Sequence, residues 1–210
     1  MTPTPEQQEP GSAAGESATR RRKPGARRLQ ILQTLAQMLE DPKGEKVTTA
    51  ALAARLSVSE AALYRHFASK AQMFEGLIEF IETTIFGLVN DIEAKEPSGL
   101  KQAGRIVRML LDFATTNRGM TRVLIGDALV NEHERLQERM NQMLERIESS
   151  LRQSFRVAVT QNELPETPDA AARAALAIAY VVGRWHRFAK SGFRKAPADG
   201  LEGQLPILLG

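Results

Sequence analysis

The 210-residue chain contains no cysteine, which excludes disulfide bonds, cysteine-based metal sites and a thiol nucleophile. It is also poor in aromatic residues, with one Trp and two Tyr. No apolar run approaches the roughly 20 residues that span a bilayer, and the first residues lack the apolar stretch of a secretory signal. We therefore expect a cytoplasmic protein that makes no membrane contact.

Motifs that would indicate an enzyme are missing as well. The three histidines, His66, His133 and His186, are far apart in the sequence. There is no HExxH pair, no glycine-rich phosphate loop and no nucleophile motif. These absences predict a protein that is not an enzyme and that has no metal site and no cofactor.

Positive charge is concentrated near the N-terminus. Residues 20–74 contain eleven Lys or Arg and four Asp or Glu, a net charge of +7, so the rest of the chain carries −4. A basic segment on a near-neutral protein is typical of a protein that binds a polyanion such as double-stranded DNA.

The first residues form a separate region. Residues 1–19 are rich in Pro, Gly, Ser, Glu and Gln and have no hydrophobic period, which predicts a disordered tail. The tail ends in "RRRKPGARR", where Arg20, Arg21 and Arg22 begin a cluster of six positive charges. This cluster is either a solvated linker or an arm that lies along DNA phosphates. We assign residues 1–24 to a disordered tail with a basic arm.

Helical periodicity dominates the rest of the chain, and no strand-like alternation interrupts it. A first helix begins near Arg27, Thr48 or Thr49 caps the short helix "AALAARL", and Ser59 caps "EAALYRHF". Ser69 caps a helix that continues toward Lys95. Further helices are expected near 102–116, 121–130, 132–158 and 169–190. The predicted fold is all-α.

The two short helices and the turn "SVS" between them form a predicted helix-turn-helix, whose second helix would enter the major groove. With Leu63 and Phe67 turned inward, a small, polar face points outward, where alanines can touch thymine methyl groups and longer side chains can reach phosphates. The alternative is a two-helix hairpin with a solvated polar face. The candidate DNA-binding residues are Arg20, Arg21, Arg22, Thr48, Thr49, Ser59, Glu60, Ala61, Ala62, Tyr64, Arg65, His66 and Lys70.

The segment "TTAALAARLSVSEAALYRHFASKAQMF" resembles the TetR-type helix-turn-helix in its Thr cap, its Leu-Ala and Val-Ser pairs and its Leu-Tyr-x-His-Phe-x-x-Lys run. Ser57 departs from the glycine that many members carry there, and we expect modest strain at this turn position. The resemblance implies a three-helix DNA-binding domain at residues 25–85 and a C-terminal helical dimerisation domain at residues 86–210.

The segments "SEAALYRHF", "MFEGLIEFIE", "TRVLIGDAL" and "ERLQERMNQMLERIESSLRQ" are also similar to SlmA-type nucleoid occlusion factors. Members of this family are TetR-like homodimers that bind specific chromosomal sites and engage the C-terminal tail of FtsZ, which antagonises FtsZ ring assembly over the nucleoid. The resemblance implies the same function and a nucleoid location for this chain.

In that family the FtsZ tail lies between the fourth and fifth helices. The matching positions are Phe80, Ile81, Ile85, Leu88, Arg105, Arg108, Met109, Asp112 and Asn117. Asp112 is a departure, because an acid there would repel an acidic peptide unless Arg108, one turn away, neutralises it. The alternative is that Arg105, Arg108 and Asp112 form a solvated face.

Two amphipathic helices suggest how the chain dimerises. Leu144, Ile147 and Leu151 belong to an apolar stripe with coiled-coil-like spacing. This stripe is either the core of one subunit or part of a four-helix interface with the Ala- and Gly-rich helix that follows. The predicted interface residues are Leu144, Ile147, Leu151, Ile178, Val182 and Trp185.

Together these features predict a DNA-binding homodimer that acts as a nucleoid occlusion factor. One alternative is a ligand-responsive TetR-type repressor whose C-terminal domain encloses a small molecule. Another is an architectural DNA-binding protein, which would need only the basic end and the dimer.

Overall fold

The computed structural model describes residues 25–41 and 47–210, and within these ranges it contains α-helices, one short 3₁₀ helix and no strand. The predicted all-α fold is confirmed. The tail and its Arg20, Arg21 and Arg22 lie outside the described residues. The helices are α1 (Ala26–Met38), α2 (Thr49–Arg55), α3 (Glu60–Tyr64), α4 (Lys70–Lys95), α5 (Gly99–Thr116), α6 (Arg118–Leu124), α7 (Glu134–Thr160), α8 (Ala170–Lys190) and α9 (Leu201–Leu209).

Side-chain caps determine where most of these helices begin. The hydroxyl of Thr48, and not that of Thr49, accepts a hydrogen bond from the backbone N–H of Ala51 at the start of α2. Ser59 and Ser69 accept equivalent bonds at the starts of α3 and α4, as predicted. Each cap satisfies one of the backbone donors that a helix leaves unpaired at its N-terminus.

Three helix predictions need correction. The helix α3 ends at Tyr64 and does not continue to Phe67. The helix expected at 121–130 is α6 followed by a 3₁₀ helix at Asp127–Leu129, because Gly126 adopts a left-handed conformation with φ of 76°. The helix α9 was not predicted, since its sequence is short and contains Gly203 and Pro206.

The molecule has two parts joined by α4. We call α1, α2, α3 and the first half of α4 the head, and the second half of α4 with α5–α9 the body. The buried side chains of α4 run without interruption from Met73 to Ile92. The predicted domain boundary between residues 85 and 86 therefore falls inside one continuous helix, and the domain limits stay a prediction.

The body has a head-proximal end and a distal end. Lys70 at the start of α4 pairs with Glu132, just before α7, so both helices begin at the head-proximal end. The backbone N–H of Gly99, where α5 begins, donates to Gln161, where α7 has ended, across 2.9 Å. This contact marks the distal end. Since α8 follows α7 and packs against it, α8 ends at the head-proximal end, where Lys190 pairs with Asp127.

Candidate nucleic-acid and peptide interfaces

The turn between α2 and α3 is built by backbone hydrogen bonds. The N–H of Ser57 donates to Ala54 and the N–H of Val58 donates to Ala53, each across 3.0 Å. Ser57 adopts a φ of 55°, which is the left-handed conformation expected from the motif. A residue with a Cβ atom is strained there, whereas glycine is not.

The two faces of the helix-turn-helix differ in exposure. Leu52, Leu63 and Phe67 are buried against the first helix. The opposite face of α3 presents Arg65 and Tyr64 to solvent, and 44% of Tyr64 is exposed. The exposed side thus carries an aromatic hydroxyl and a guanidinium, which are groups that donate hydrogen bonds to phosphates or base edges.

Several of the predicted DNA-binding residues also hold the motif together. The hydroxyl of Thr49 donates to the carboxylate of Glu60 across 2.6 Å, which joins α2 to α3. The hydroxyl of Ser59 caps α3 through Ala62. The carbonyl of His66 accepts a hydrogen bond from Arg28. All three contacts are made within the head.

Arg28 is a structural residue that the sequence analysis did not single out. Its guanidinium lies 4.1 Å from the centroid of the Phe67 ring and also bonds the His66 carbonyl. It therefore fixes α1 to the end of the helix-turn-helix. Sequence spacing could not reveal this contact, because the partners are 38 residues apart.

Lys70 is not free in this structure. Its ammonium group lies 2.5 Å from the carboxylate of Glu132, with only 24% and 12% of the two side chains exposed. The same ammonium lies 5.6 Å from the centroid of the Phe74 ring. A phosphate contact by Lys70 would require this ion pair to open.

A groove of about 330 Å³ lies between α4 and α5. It brings together five of the nine residues predicted to bind the FtsZ tail: Leu88, Arg105, Arg108, Met109 and Asp112. Its other lining residues, Asp91, Ile92 and Lys95, were not predicted. Asp91 and Ile92 are one turn further along α4 from Leu88 and Lys95 is two turns further, so a longer match along this helix would have included them.

The other four predicted groove residues lie elsewhere. Ile81 and Ile85 are fully buried in the core, so their prediction as peptide contacts is wrong for this conformation. Asn117 donates its side-chain amide to the carbonyl of Phe113 and closes α5. Phe80 is exposed, two turns before Leu88 on the same face of α4, but it does not line the groove.

The two arginines of the groove have acidic partners inside the chain. Arg108 lies 2.6 Å from Glu202 of α9, and Arg105 lies 3.5 Å from Glu96. The hydrogen bond to Glu202 raises the pKa of Arg108, and the charge of Asp112 acts in the same direction. The direct partner of Arg108 is therefore Glu202, and none of the ion pairs among the described residues includes Asp112, so the neutralisation of Asp112 by Arg108 stays a prediction.

The predicted dimer interface needs correction. Ile147, Leu151 and Trp185 are fully buried within one subunit, and the indole N–H of Trp185 donates to the carbonyl of Leu110 across 2.9 Å. Ile178 is also buried, and Leu144 and Val182 pack partly against the core. The faces of α7 and α8 that carry Ile147, Leu151 and Trp185 pack on each other and on α5, so these three residues belong to the core of one subunit. Leu144 and Val182 stay partly exposed, and their place in an interface stays a prediction.

The opposite face of α8 is exposed; it is apolar from Ala172 to Gly183, and its last two turns carry His186, Arg187 and Lys190. Leu176 of α8 is 58% exposed, and Ile207 of α9 is 82% exposed. Ala172, Ala175 and Ala179 are exposed on α8 as well, and a Cβ atom added at Gly183 or Gly203 would meet no atom within 4 Å. By contrast, the outer face of α7 is polar, as residues 141, 142, 145, 146 and 149 show.

Among residues 25–41 and 47–210, no group of His, Cys, Asp and Glu side chains could hold a metal ion. No helix in that part of the chain is long and apolar enough to cross a membrane.

The fold and the helix-turn-helix define a TetR-type regulatory protein. A model of the TetR family of bacterial regulatory proteins matches residues 42–77, and a model described as a tetracyclin repressor-like, SlmA-like C-terminal domain matches residues 98–210. The structure of AibR, solved with isovaleryl coenzyme A and operator DNA, has a TM-score of 0.69 and 17% identity, and the match covers 87% of this chain and 98% of AibR. That likeness shows the fold.

Closer relatives define the family. The nucleoid occlusion factor SlmA of Idiomarina loihiensis is 46% identical over 87% of this chain and 93% of the relative. SlmA of Alteromonas mediterranea is 47% identical over 82% of this chain and 89% of the relative. The chain belongs to the SlmA family of nucleoid occlusion factors. This family is one of regulatory proteins, in agreement with the prediction that the chain is not an enzyme.

Proposed function

We propose that this protein is a homodimer that binds specific sites in double-stranded chromosomal DNA and antagonises FtsZ ring assembly by binding the FtsZ C-terminal tail. One observation supports both activities. The exposed face of α3 belongs to the head and the groove between α4 and α5 belongs to the body, so neither surface covers the other. A single subunit can therefore hold DNA with its head and a peptide with its body.

DNA binding is assigned to the exposed face of α3. Tyr64 and Arg65 would reach the DNA, whereas Thr48 and Ser59 would keep α2 and α3 in position through their caps. The head is basic, and the N-termini of its helices also attract anions. The nonspecific part of the DNA affinity would therefore come from contacts with DNA phosphates. The arm formed by Arg20, Arg21 and Arg22 would add to that part.

The groove between α4 and α5 suits a short peptide that is both acidic and apolar. Leu88 and Met109 offer apolar surface, and the guanidinium groups of Arg105 and Arg108 lie beside them. Arg108 already forms an ion pair with Glu202, so an acidic group of the peptide would have to displace this carboxylate from Arg108. We therefore expect weak binding that salt reduces further.

Dimerisation is assigned to the exposed face of α8 and to α9. This surface contains Leu176 and Ile207 and small residues such as Gly183 and Gly203, which allow helices of two subunits to approach closely. Exposed apolar surface of this kind is typical of a subunit interface. A two-fold axis that runs along α8 would place the two heads on the same side of the dimer.

The ligand-responsive repressor remains the alternative function. The space between α5, α7 and α8 is occupied by side chains such as Leu110, Met143 and Trp185, all fully buried, so the structure favours a solid core over a ligand cavity. Genome-wide binding sites distinguish the two functions. Occlusion predicts many sites over the chromosome with none near the terminus, whereas repression predicts a few sites beside promoters.

The FtsZ assignment is tested by titrating a labelled FtsZ tail peptide with the DNA-bound protein and following its fluorescence anisotropy. We expect binding at low salt that Arg108→Glu weakens at least tenfold while DNA affinity stays unchanged. Phe80→Ala should weaken it less, because Phe80 lies outside the groove. Arg156→Glu, the same charge change at an exposed position of α7, is the matched control. Absence of binding at low salt would leave a DNA-binding protein without a role in division.

A further inference from the structure

A second groove lies on the other side of α5, between α5 and α9, and has a volume of about 330 Å³. Its apolar lining comes from Leu100 and Gly104 of α5 and from Leu205 and Leu209 of α9. We call the groove between α4 and α5 the first groove and the groove between α5 and α9 the second groove. The sequence analysis assigned no role to the second groove, because it did not predict α9.

The two grooves meet at Arg105 and Arg108, which line both of them. Met109 lines only the first groove and Gly104 only the second, so the two arginines form a ridge between them. An α-helix is about 10 Å wide, and an extended peptide advances about 3.3 Å per residue. A peptide whose acidic residue reaches Arg108 from the first groove would therefore enter the second groove within about three further residues.

The α9 wall of the second groove is held in place by α8. The guanidinium of Arg173 donates to the carbonyl of Leu209 across 3.0 Å, and the hydroxyl of Tyr180 donates to the side-chain carbonyl of Gln204 across 2.6 Å. Gly104 allows α9 to approach α5, because a Cβ atom there would already lie 3.2 Å from Cδ1 of Leu209. The second groove is therefore formed before any ligand binds.

The second groove is separate from the surface assigned to the dimer. On α9 that surface contains Ile207, which is largely exposed, whereas Leu205 is partly buried and Leu209 is buried. With 3.6 residues per turn, the residues two positions before and after Ile207 point roughly away from it. A partner subunit that packs on Ile207 would therefore leave the second groove open.

The charges of the second groove suit an acidic peptide. Arg105 pairs with Glu96 and Arg108 with Glu202. The third cation of the lining, Lys101, is exposed, and no ion pair among the described residues includes it. The ammonium group of Lys101 is thus available to an acidic side chain of a bound peptide.

We propose that the second groove is a further subsite for the FtsZ tail, which takes an apolar residue close in sequence to the acidic residue bound by Arg108. This proposal rests on the FtsZ binding proposed above. The peptide would cross α5 at the two arginines, place an apolar side chain against Leu205 and Leu209, and pass Lys101. The side chain of Glu202 is 81% exposed, so it can turn into solvent and release Arg108 while α9 stays in place.

The test compares variants of the full-length protein on tail peptides of different length. Lys101→Gln removes the cation that lines only the second groove, and Gly104→Met fills this groove without a change of charge. Arg156→Gln, which removes an exposed cation from α7, is the control for charge. The labelled peptides are the full FtsZ tail and two versions that are each shortened by a few residues at one end. Fluorescence anisotropy is measured at physiological salt, where exposed charges more than about 8 Å apart are largely screened.

We expect Lys101→Gln to weaken binding of the full tail about threefold, which is within the range measured for one exposed ion pair. Gly104→Met should weaken it more, because its side chain occupies the space of the apolar residue. Arg156→Gln should bind like the wild type. One shortened peptide should bind the wild type and both groove variants equally, since it lacks the residue that the second groove would hold, while Arg108→Glu still weakens its binding.

The proposal is wrong if either groove variant binds the full tail as tightly as the wild type. It is also wrong if both shortened peptides still distinguish the groove variants from the wild type, because the effect would then not depend on the residues next to the acid. In either case binding in the first groove would stand. A wild-type protein that binds none of the peptides would instead overturn the FtsZ function itself.

A second copy of this chain is the competing occupant of the second groove. Sedimentation velocity should give the same dimer content for both groove variants and the wild type. Loss of the dimer in a Gly104→Met variant that circular dichroism shows to be folded would make the second groove a subunit contact and overturn the proposal. If Gly104→Met does not fold, Lys101→Gln decides the test with the same peptides.

Discussion

At the residue scale, the predicted DNA-binding side chains divide into two groups. Thr48 and Ser59 are helix caps whose hydroxyl groups accept backbone hydrogen bonds. Tyr64 and Arg65 are exposed and make no cap. Substitutions in the first group should therefore change stability as well as DNA affinity, whereas those in the second should change DNA affinity alone. The sequence motif by itself does not separate these roles.

Arg65→Gln should weaken DNA binding and reduce the log–log salt slope by about 0.9, the contribution of one phosphate contact. Thermal unfolding should be unchanged, because Arg65 lies on the solvent side of α3. Thr48→Ala should weaken DNA binding and also lower the free energy of unfolding by about 1 kcal/mol, the usual value of an N-cap. Thr48→Ser keeps the cap and is the control. An unchanged salt slope for Arg65→Gln would remove Arg65 from the interface.

At the scale of elements, α6 and the 3₁₀ helix connect the head to the body. A Cβ atom at Gly119 would lie 1.9 Å from the carbonyl oxygen of Ala36, so only glycine allows α6 to approach α1 this closely. Asp127 accepts hydrogen bonds from Arg122, across 2.9 Å, and from Lys190. Burial acts to raise the pKa of Asp127, but these two hydrogen bonds outweigh it and the pKa is lowered.

Asp127→Asn should lower the free energy of unfolding at pH 7 by about 1–2 kcal/mol, the contribution of hydrogen bonds to a charged group. Because the folded pKa is lowered, the carboxylate contributes fully above the ordinary Asp pKa of about 3.9 and loses its contribution as pH falls through the folded value. The difference between variant and wild type should therefore shrink below pH of about 4. Urea unfolding at fixed protein concentration measures it.

Asp91→Asn is the matched control for this experiment. Asp91 pairs with Lys95, but 68% of each side chain is exposed, and such surface pairs contribute little. A difference for Asp127→Asn that stays constant from pH 7 to pH 3 would show that the ionised carboxylate is not the cause.

At the scale of the whole molecule, the exposed apolar face of α8 and α9 is the surface that the proposed dimer would bury. Leu176→Glu should dissociate the dimer in sedimentation velocity, because an unpaired carboxylate would be buried at the interface at a cost of several kcal/mol. The monomer should remain folded, since Leu176 is 58% exposed in the single chain. Leu151→Glu should instead unfold the subunit, because Leu151 is fully buried.

Gln153→Glu adds the same charge to the exposed side of α7 and is the control for dimerisation. An intact dimer of the Leu176→Glu variant would mean that subunits associate through another surface.

Much of the helical architecture follows from local sequence patterns. The periodicity, the caps at Ser59 and Ser69 and the inward positions of Leu63 and Phe67 were predicted and are present. These features depend on residues three or four positions apart, which a helix brings together by its own geometry. The helix α9 was missed because Gly203 and Pro206 weaken its local pattern, and its packing against α5 and α8 cannot be read from neighbouring residues.

The sequence by itself determined the all-α fold and the helix-turn-helix, because each depends on neighbours along the chain, and the resemblance to the TetR-type motif implied the left-handed turn at Ser57. Only the tertiary structure decided which apolar stripes are internal, that Lys70 pairs with Glu132, and that Arg108 pairs with Glu202. The partners in these two pairs are more than 60 residues apart in the sequence. An amphipathic stripe indicates that one face of a helix will be buried. The packing of α5, α7 and α8 decides whether that face is buried within its own subunit or against a second subunit.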